Sequence, residues 1–249
     1  MQPSERRKWV LQKIQVEGKV EIDQLSEELS VSPMTIRRDL DQLEEKGKVI
    51  RVHGGAVGAK SLITETPFQT KESRNTEQKQ LVARKALSLI HDGQTILLDS
   101  GTTTLELARL LQSKTNLTII TNDIKIAAEL VDSKLKVIIT GGELQNDVGA
   151  LFGPQTHHFL KNIHVDLFFL GAHAIDLKTG ITSPTFEKSL VKQLMMEAAD
   201  STWLVADSSK LGERAFSKVC DLQEITGFIT DDDISYETKQ KISESMQIL

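Results

Sequence analysis

What this sequence lacks narrows it first. Its 249 residues include a single cysteine, Cys220, so no intrachain disulfide can form. No apolar run approaches the roughly 18 residues that a membrane helix requires. The opening residues, Met-Gln-Pro-Ser-Glu-Arg-Arg-Lys, hold no apolar signal-peptide core. A cytoplasmic protein with no membrane segment is therefore expected. Basic charge is not in excess either: the formal net charge of -5 argues against a chain coated for non-specific nucleic-acid binding. Residues 1–57 carry ten Lys and Arg against ten Asp and Glu, so a DNA reader here must rest on where its basic residues lie. Metal-ligand spacing is missing, because His157 and His158 are adjacent and Cys220 has no second thiol. There is no Gly-Lys-Ser/Thr of a Walker loop and no nucleophile elbow for acyl transfer. Neither a metal nor a cofactor is expected.

What is present suits a soluble globular chain, with 39% apolar and 26% charged residues; its length allows two domains or a single large α/β domain, so the division has to come from pattern. Ser4 to Glu17 reads as an amphipathic helix with Trp9, Val10, Ile14 and the stem of Lys13 on one side, stopped by Gly18. Val20–Ile22 is a short strand candidate. Asp23 is expected to cap a second helix with Leu25 and Leu29 facing inward, and Ser30-Val31 to turn the chain. Ser32 then caps a third helix. Pro33 suits its first position, Ile36, Leu40 and Leu43 mark its buried face, and Gly47 ends it. Lys48 to Ala56 reads as a β ribbon with a glycine hinge.

The opposite side of the third helix carries Met34, Thr35, Arg37, Arg38 and Asp41, gathered near its start. A helix-turn-helix inserts that end of its second helix into the major groove. There Arg can donate two bonds to guanine, and Thr can meet a base edge or a thymine methyl. Ser32 and Thr35 have phosphate contact as an alternative role. Lys48, Arg51 and His53 would form a wing touching the backbone or an adjacent minor groove. An arginine pair alone is more often a solvated helix face. The capped Ser-Pro start, the paired arginines and the basic ribbon behind them are together far more specific.

From Ala56 to about Glu72 the periodicity fades, so the domains are drawn as 1–57 (winged helix-turn-helix), 58–72 (linker) and 73–249 (α/β). Strands are expected near Thr95–Asp99, Leu117–Ile120, Lys136–Thr140, Asp166–Leu170, Trp203–Asp207 and Gly227–Thr230. Helices fall between them, near Thr76–Ile90, Thr104–Leu111, Asp123–Val131 and Glu187–Ala199. This alternation predicts a mostly parallel sheet with crossover helices.

The most informative feature of the second domain is Asp99-Ser-Gly-Thr-Thr-Thr104, between an apolar strand and a helix. Gly101 allows close backbone approach, the hydroxyls of Ser100, Thr102, Thr103 and Thr104 donate hydrogen bonds, and the helix start adds free amides. Such a loop can hold phosphate, although a plain strand-to-helix turn would use one Thr as a cap. Thr121-Asn122, Gly141-Gly142, Gly171-Ala172-His173 and Asp207-Ser208-Ser209-Lys210 follow later strands, at the edge where α/β proteins place ligands. Asn122 and Asp207 can pair with sugar hydroxyls, and Lys210 can neutralise an anion. Each taken singly is as well explained as a turn or cap.

The segment SPMTIRRDLDQLEEKGKVIRVHGGAV resembles the helix-turn-helix and wing of the DeoR family of bacterial regulators, and the resemblance runs through nearly the whole chain. It implies a repressor of a sugar-catabolic operon, bound to a double-stranded operator as a homodimer or homotetramer and released by a phosphorylated sugar. It also implies that the second domain is similar to the ribose-5-phosphate isomerase and coenzyme A transferase folds. Carried over by position, Ser100 to Thr104 would hold phosphate, while Asp99, Asn122, Glu187, Lys192 and Lys210 would surround the sugar. Glu187 and Lys192 have a surface ion pair as their alternative. Enzymes of the related fold carry a run resembling Asp-Gly-Ala-Asp; here Leu170-Gly-Ala-His173 stands in its place, so binding without catalysis is expected. An isomerase with an added DNA head, and a DNA-binding protein whose α/β domain serves only assembly, are the rival readings.

Overall fold

The structure is a computed structural model and describes residues 2–46, 48–52, 54–58, 62–63 and 65–249. Gly47 and His53, which enter the sequence reading, and residues 59–61 and 64 of the expected linker lie outside the described residues. The chain divides into two compact units, Met1–Thr66 and Pro67–Leu249.

The first unit runs α1 (Pro3–Glu17), β1 (Lys19–Glu21), α2 (Ile22–Leu29), α3 (Pro33–Glu45), β2 (Val49–Val52) and β3 (Gly55–Gly58). Pro3 starts α1 where its missing N–H costs nothing, and Gly18 at φ 78° ends it. Ile22 is the first residue of α2, so Asp23 sits inside the first turn and Glu21, not Asp23, takes the capping position. An acidic residue there still favours the helix start. Ser30 adopts φ 52°, and this left-handed residue turns α2 toward α3. Val10, Ile14, Val20, Leu25, Ile36, Leu40 and Leu43 meet in one core. The three strands form an antiparallel sheet in the order β1-β3-β2. This is a helix-turn-helix with a two-stranded wing.

The second unit opens with α4 (Phe68–Glu72) and α5 (Thr76–Leu87), followed by β4 (Thr95–Leu98), α6 (Thr102–Leu111), β5 (Thr118–Thr121), α7 (Ile124–Glu129) and β6 (Lys136–Ile139). A hairpin of β7 (Glu143–Gln145) and β8 (Ala150–Phe152) leads to α8 (Pro154–Leu160) and β9 (Val165–Gly171). Then come β10 (Ala174–Asp176), β11 (Gly180–Ser183), α9 (Phe186–Glu197), β12 (Ala199–Val205), β13 (Ser217–Cys220), β14 (Gly227–Ile229), α10 (Tyr236–Ser243) and β15 (Gln247–Ile248). The expected linker of 58–72 is too long at both ends: Gly58 completes the wing, and Phe68 is buried in the core of the second unit.

Seven strands form a parallel sheet in the order β15-β14-β12-β9-β4-β5-β6. Alternate residues serve opposite layers. Ile96, Leu98, Leu167 and Phe169 face a core with α5, α6 and α7, whereas Leu97, Phe168, Leu170 and Leu204 face one with α9. From β4 the chain steps outward to β5 and β6, then returns to β9 on the other flank and continues to β12, β14 and β15. The strand order therefore reverses between β4 and β9. A crevice opens at such a reversal, beyond the carboxyl ends of the two strands. No helix among the described residues is long and apolar enough to cross a membrane, and they hold no cluster of His, Cys, Asp or Glu suited to a metal.

Candidate DNA-reading and effector sites

The helix expected to read DNA is α3. Ser32 caps it by accepting the Thr35 N–H at 3.3 Å, with its hydroxyl 3.0 Å from that of Thr35. Both hydroxyls are therefore engaged at the helix start. Met34 is 55% exposed, and Arg37, Arg38 and Lys48 are exposed as well, so the side opposite Ile36, Leu40 and Leu43 is the charged face that the spacing predicts. Arg51 is different: its Nη1 lies 3.2 Å from Asp41 Oδ1 and 3.4 Å from the Arg37 carbonyl, and its N–H donates to Glu44 at 2.9 Å. It braces the wing against α3 rather than standing free. His53 falls outside the described residues. One residue escaped the sequence reading. Asp39 is buried on the inner face of α3, where it pairs with Arg6 Nε and, at 3.2 Å, with Arg7 Nη1. The pair ties the reading helix to α1.

In the second unit the helix start and the strand reversal coincide. α6 begins at Thr102, two residues before the expected start, so Thr102 and Thr103 belong to its first turn. Its cap is Gly101, which has no side chain to offer, and the first helical amide bond runs from Leu105 to the Gly101 carbonyl. The amides of Thr102, Thr103 and Thr104 come before that bond and have no acceptor within the helix. Gly101 itself is extended at φ 175°, and a Cβ there would meet Thr104 Oγ1 at 3.4 Å. The fold alone does not demand glycine at this point. Thr104 is fully buried and donates to the carbonyls of Asp99 (2.7 Å) and Gly101 (2.9 Å), so it shapes the loop. Ser100 donates to Asp123 Oδ2 at 2.6 Å. Asp123 also caps α7 through Lys125 N at 2.7 Å, and burial raises its pKa.

Asp99 and Lys192 form a buried ion pair across the reversal point, with Asp99 Oδ2 accepting the Gly171 N–H at 2.9 Å and Lys192 Nζ donating to the Gly171 carbonyl at 2.9 Å. The suggested Glu187–Lys192 pair does not form. Glu187 instead accepts the Gly153 N–H at 3.1 Å and lies 3.0 Å from His157 Nε2. Thr121 is spent on the fold, its hydroxyl donating to the Leu98 carbonyl at 2.9 Å. Asn122 donates to the Leu151 carbonyl at 3.2 Å, yet its buried Oδ1 has no partner among the described residues. Gly142 serves packing: at φ 118°, a Cβ would stand 2.2 Å from the Phe152 carbonyl oxygen. Gly141 accepts the Thr156 hydroxyl at 2.6 Å. Asp207 takes the Asn75 amide at 2.9 Å and caps the short turn Ser208–Lys210.

The same edge gathers, around the expected Lys210, two cations that the sequence reading missed, Arg74 and Lys79. Arg74 has Nε and Nη2 buried without a hydrogen-bond partner among the described residues, and burial lowers its pKa. Lys79, 4% exposed in the first turns of α5, is lowered to about 8 by burial, which outweighs the opposing pull of Asp207. Lys210 is lowered by burial too, with Lys71 and Arg74 adding repulsion and Asp207 opposing it. The signal was faint. A lysine this close to a helix start works against the helix dipole, so its placement asks for a reason beyond the helix. Desolvated positive charge around Asp207 is an arrangement that an anion relieves.

Two family models match the chain. One, described as a DeoR-like helix-turn-helix domain, covers residues 6–61; the other, the DeoR C terminal sensor domain, covers residues 74–232. The chain belongs to the DeoR family. Relatives in this family include the HTH-type transcriptional regulator GlpR of Haloferax volcanii, 37% identical over 97% of this chain and 95% of that one. The glycerol-3-phosphate regulon repressor of Escherichia coli K12 is 32% identical over 93% and 92%, and the lactose phosphotransferase system repressor of Staphylococcus epidermidis is 33% identical over 93% and 93%. Among solved structures, ribose 5-phosphate isomerase A of Methanocaldococcus jannaschii aligns with a TM-score of 0.42 at 19% identity over 55% of each chain. The DeoR sensor domain of this chain is a parallel α/β domain following a helix-turn-helix by its own strand order.

Proposed function

We propose that this DeoR-family chain is a sequence-specific repressor of a sugar-metabolism operon, released from its operator when a phosphorylated sugar occupies the sensor unit. The observation that carries the reading is Arg74, whose buried Nε and Nη2 have no hydrogen-bond partner among the described residues, grouped with Lys79 and Lys210 at the sheet edge that presents the uncapped start of α6. Such a group gains most from a dianion. The unpaired Asn122 Oδ1 and the Asp207 carboxylate offer acceptors, which suit the hydroxyls of a sugar. The names of the relatives, one a glycerol-3-phosphate regulon repressor and another a lactose phosphotransferase system repressor, support the class rather than one sugar.

The site binds and does not catalyse. Proton transfer between neighbouring carbons needs a positioned base, and Asp99 is held in its ion pair with Lys192 while Leu170 and His173 replace the acidic run of the related enzymes. Repression needs two reading heads on paired half-sites, so a cytoplasmic homodimer or homotetramer is the working form, and no cofactor enters the cycle. The effector relieves repression only if it binds the DNA-incompetent arrangement more tightly. A coupling of about 1–3 kcal/mol gives roughly a 5–150-fold loss of operator affinity.

A thermal-shift screen of the full chain against phosphorylated and free sugars tests this, since a ligand of the folded state stabilises it by mass action. Phosphate esters are expected to stabilise. Stabilisation by free sugars alone refutes the anion site. Thr102→Glu, which places a carboxylate at the start of α6, should abolish phosphate-ester stabilisation and leave footprinting on the operator unchanged; retained stabilisation puts the phosphate elsewhere.

A further inference from the structure

Resting on the effector site proposed above, we infer that α4 is the element through which occupancy of that site reaches the connector to the reading head. Phe68 is the second residue of the sensor unit, so the start of α4 is where the connector is anchored. Both ends of this five-residue helix are held by groups that lead back to the effector site.

At its first residue, the Phe68 N–H donates to the Asp147 carbonyl at 3.1 Å, in the turn between β7 and β8. The buried Phe68 ring lies 4.2 Å from Lys125 Nζ, which also donates to the Val148 carbonyl at 2.7 Å. The backbone N–H of Lys125 is capped by one oxygen of Asp123, whose other oxygen accepts the Ser100 hydroxyl. Four residues therefore connect the phosphate loop to the anchor: Ser100, Asp123, Lys125 and Phe68. At the other end, the Lys79 ammonium takes the carbonyls of Lys71, Glu72 and Arg74, where α4 finishes.

An anion seated among Arg74, Lys79 and Lys210 attracts that ammonium and competes with the carbonyls for it. A phosphate oxygen near Ser100 competes with Asp123 for the hydroxyl. A helix of little more than one turn has too few internal bonds to persist once its external ones weaken. Occupancy therefore loosens α4 from both ends, which is a difference between two states that a ligand can select.

Hydrogen exchange of the full chain, with inorganic phosphate as the probe, tests the inference. The N–H groups of Phe68, Lys71 and Ser73 report on α4, bonded to Asp147, Pro67 and Gln69. Phosphate is expected to slow exchange across residues 100–104 and to speed it across 68–73, by about fivefold or more if the coupling is of ordinary size. Lys125→Met, outside the anion cluster, should keep the slowing at 100–104 and lose the response at the Phe68 N–H, while that of Ser73, on the Lys79 side, persists. Phe68→Leu should do the same, and serves if the first variant is unstable. Slowing at 100–104 with no change at 68–73 overturns the role of α4 and leaves the effector site standing. No slowing at 100–104 overturns both. A wild-type response in both variants refutes the Lys125–Phe68 anchor.

Discussion

Lys192→Met should destabilise the sensor unit more than any change at its surface, because of what the substitution leaves behind. Asp99 is 2% exposed and Lys192 7%, so the carboxylate would remain buried with the Gly171 N–H as its remaining donor among the contacts described. Breaking a buried pair by removing one partner costs about 3–5 kcal/mol, since the surviving charge is uncompensated. Asp99→Asn should cost a similar amount by stranding the Lys192 ammonium. In a unit of this size each kcal/mol moves the melting midpoint by roughly 2–4 °C, so each single variant should melt about 10 °C lower. The double variant Asp99→Asn/Lys192→Met removes both charges while the Asn oxygen still accepts the Gly171 N–H. It should recover to within about 2 kcal/mol of the parent, as uncharged replacements of buried pairs do. The chain has two tryptophans, and a Trp9→Phe background leaves Trp203, in the sensor core, as the fluorescent reporter. Singles within about 1 kcal/mol of the parent, or a double equal to the sum of the singles, would sink the argument: the pair would then be solvated, or not coupled.

Three further outcomes follow from the same geometry. Arg37→Ala and Arg38→Ala should each weaken operator binding by about 1–3 kcal/mol if they read bases, and unchanged affinity in both, measured by anisotropy, removes α3 from the groove. Asp39→Ala strands Arg6, which is 8% exposed, and should melt the reading head while the sensor transition persists in calorimetry; a folded, DNA-binding variant contradicts the tie between α1 and α3. Lys79 titrates near 8 in the folded chain against 10.5 in the unfolded one, so between those values the unfolded chain binds more protons and this group's contribution to stability rises with pH. Phosphate binding prefers the charged ammonium, so calorimetric affinity should fall as pH rises through about 8, and a flat profile from pH 7 to 9.5 excludes Lys79 from the anion cluster.

The local features were legible in the sequence because their causes are local. Periodicity marks α1, α3, α5 and α9 since a buried stripe must repeat every three or four residues, and Ser32-Pro33 marks a helix start since the free amides there need an acceptor. The apolar runs that became β4, β5, β9, β12 and β14 were visible for the same reason. The hairpin β7–β8, the small sheet of β10, β11 and β13, and the short helices α4 and α8 were not. They are too brief for a period to show, and they exist because a larger core receives them: Phe68 holds α4 in place by burial, not by helix propensity. Which charges meet was decided only in three dimensions. Lys192 found Asp99 across 93 positions, Glu187 turned to His157, and Arg51 was drawn back to α3, because pairing follows the crossing of strands and helices rather than distance along the chain. The sequence by itself determined the two-domain plan, the exposed basic face of α3 and the hydroxyl-rich loop at the start of α6. Tertiary structure alone decided that Arg74, Lys79 and Lys210 converge on one desolvated edge, since burial is a property of the packed chain and not of any residue in it.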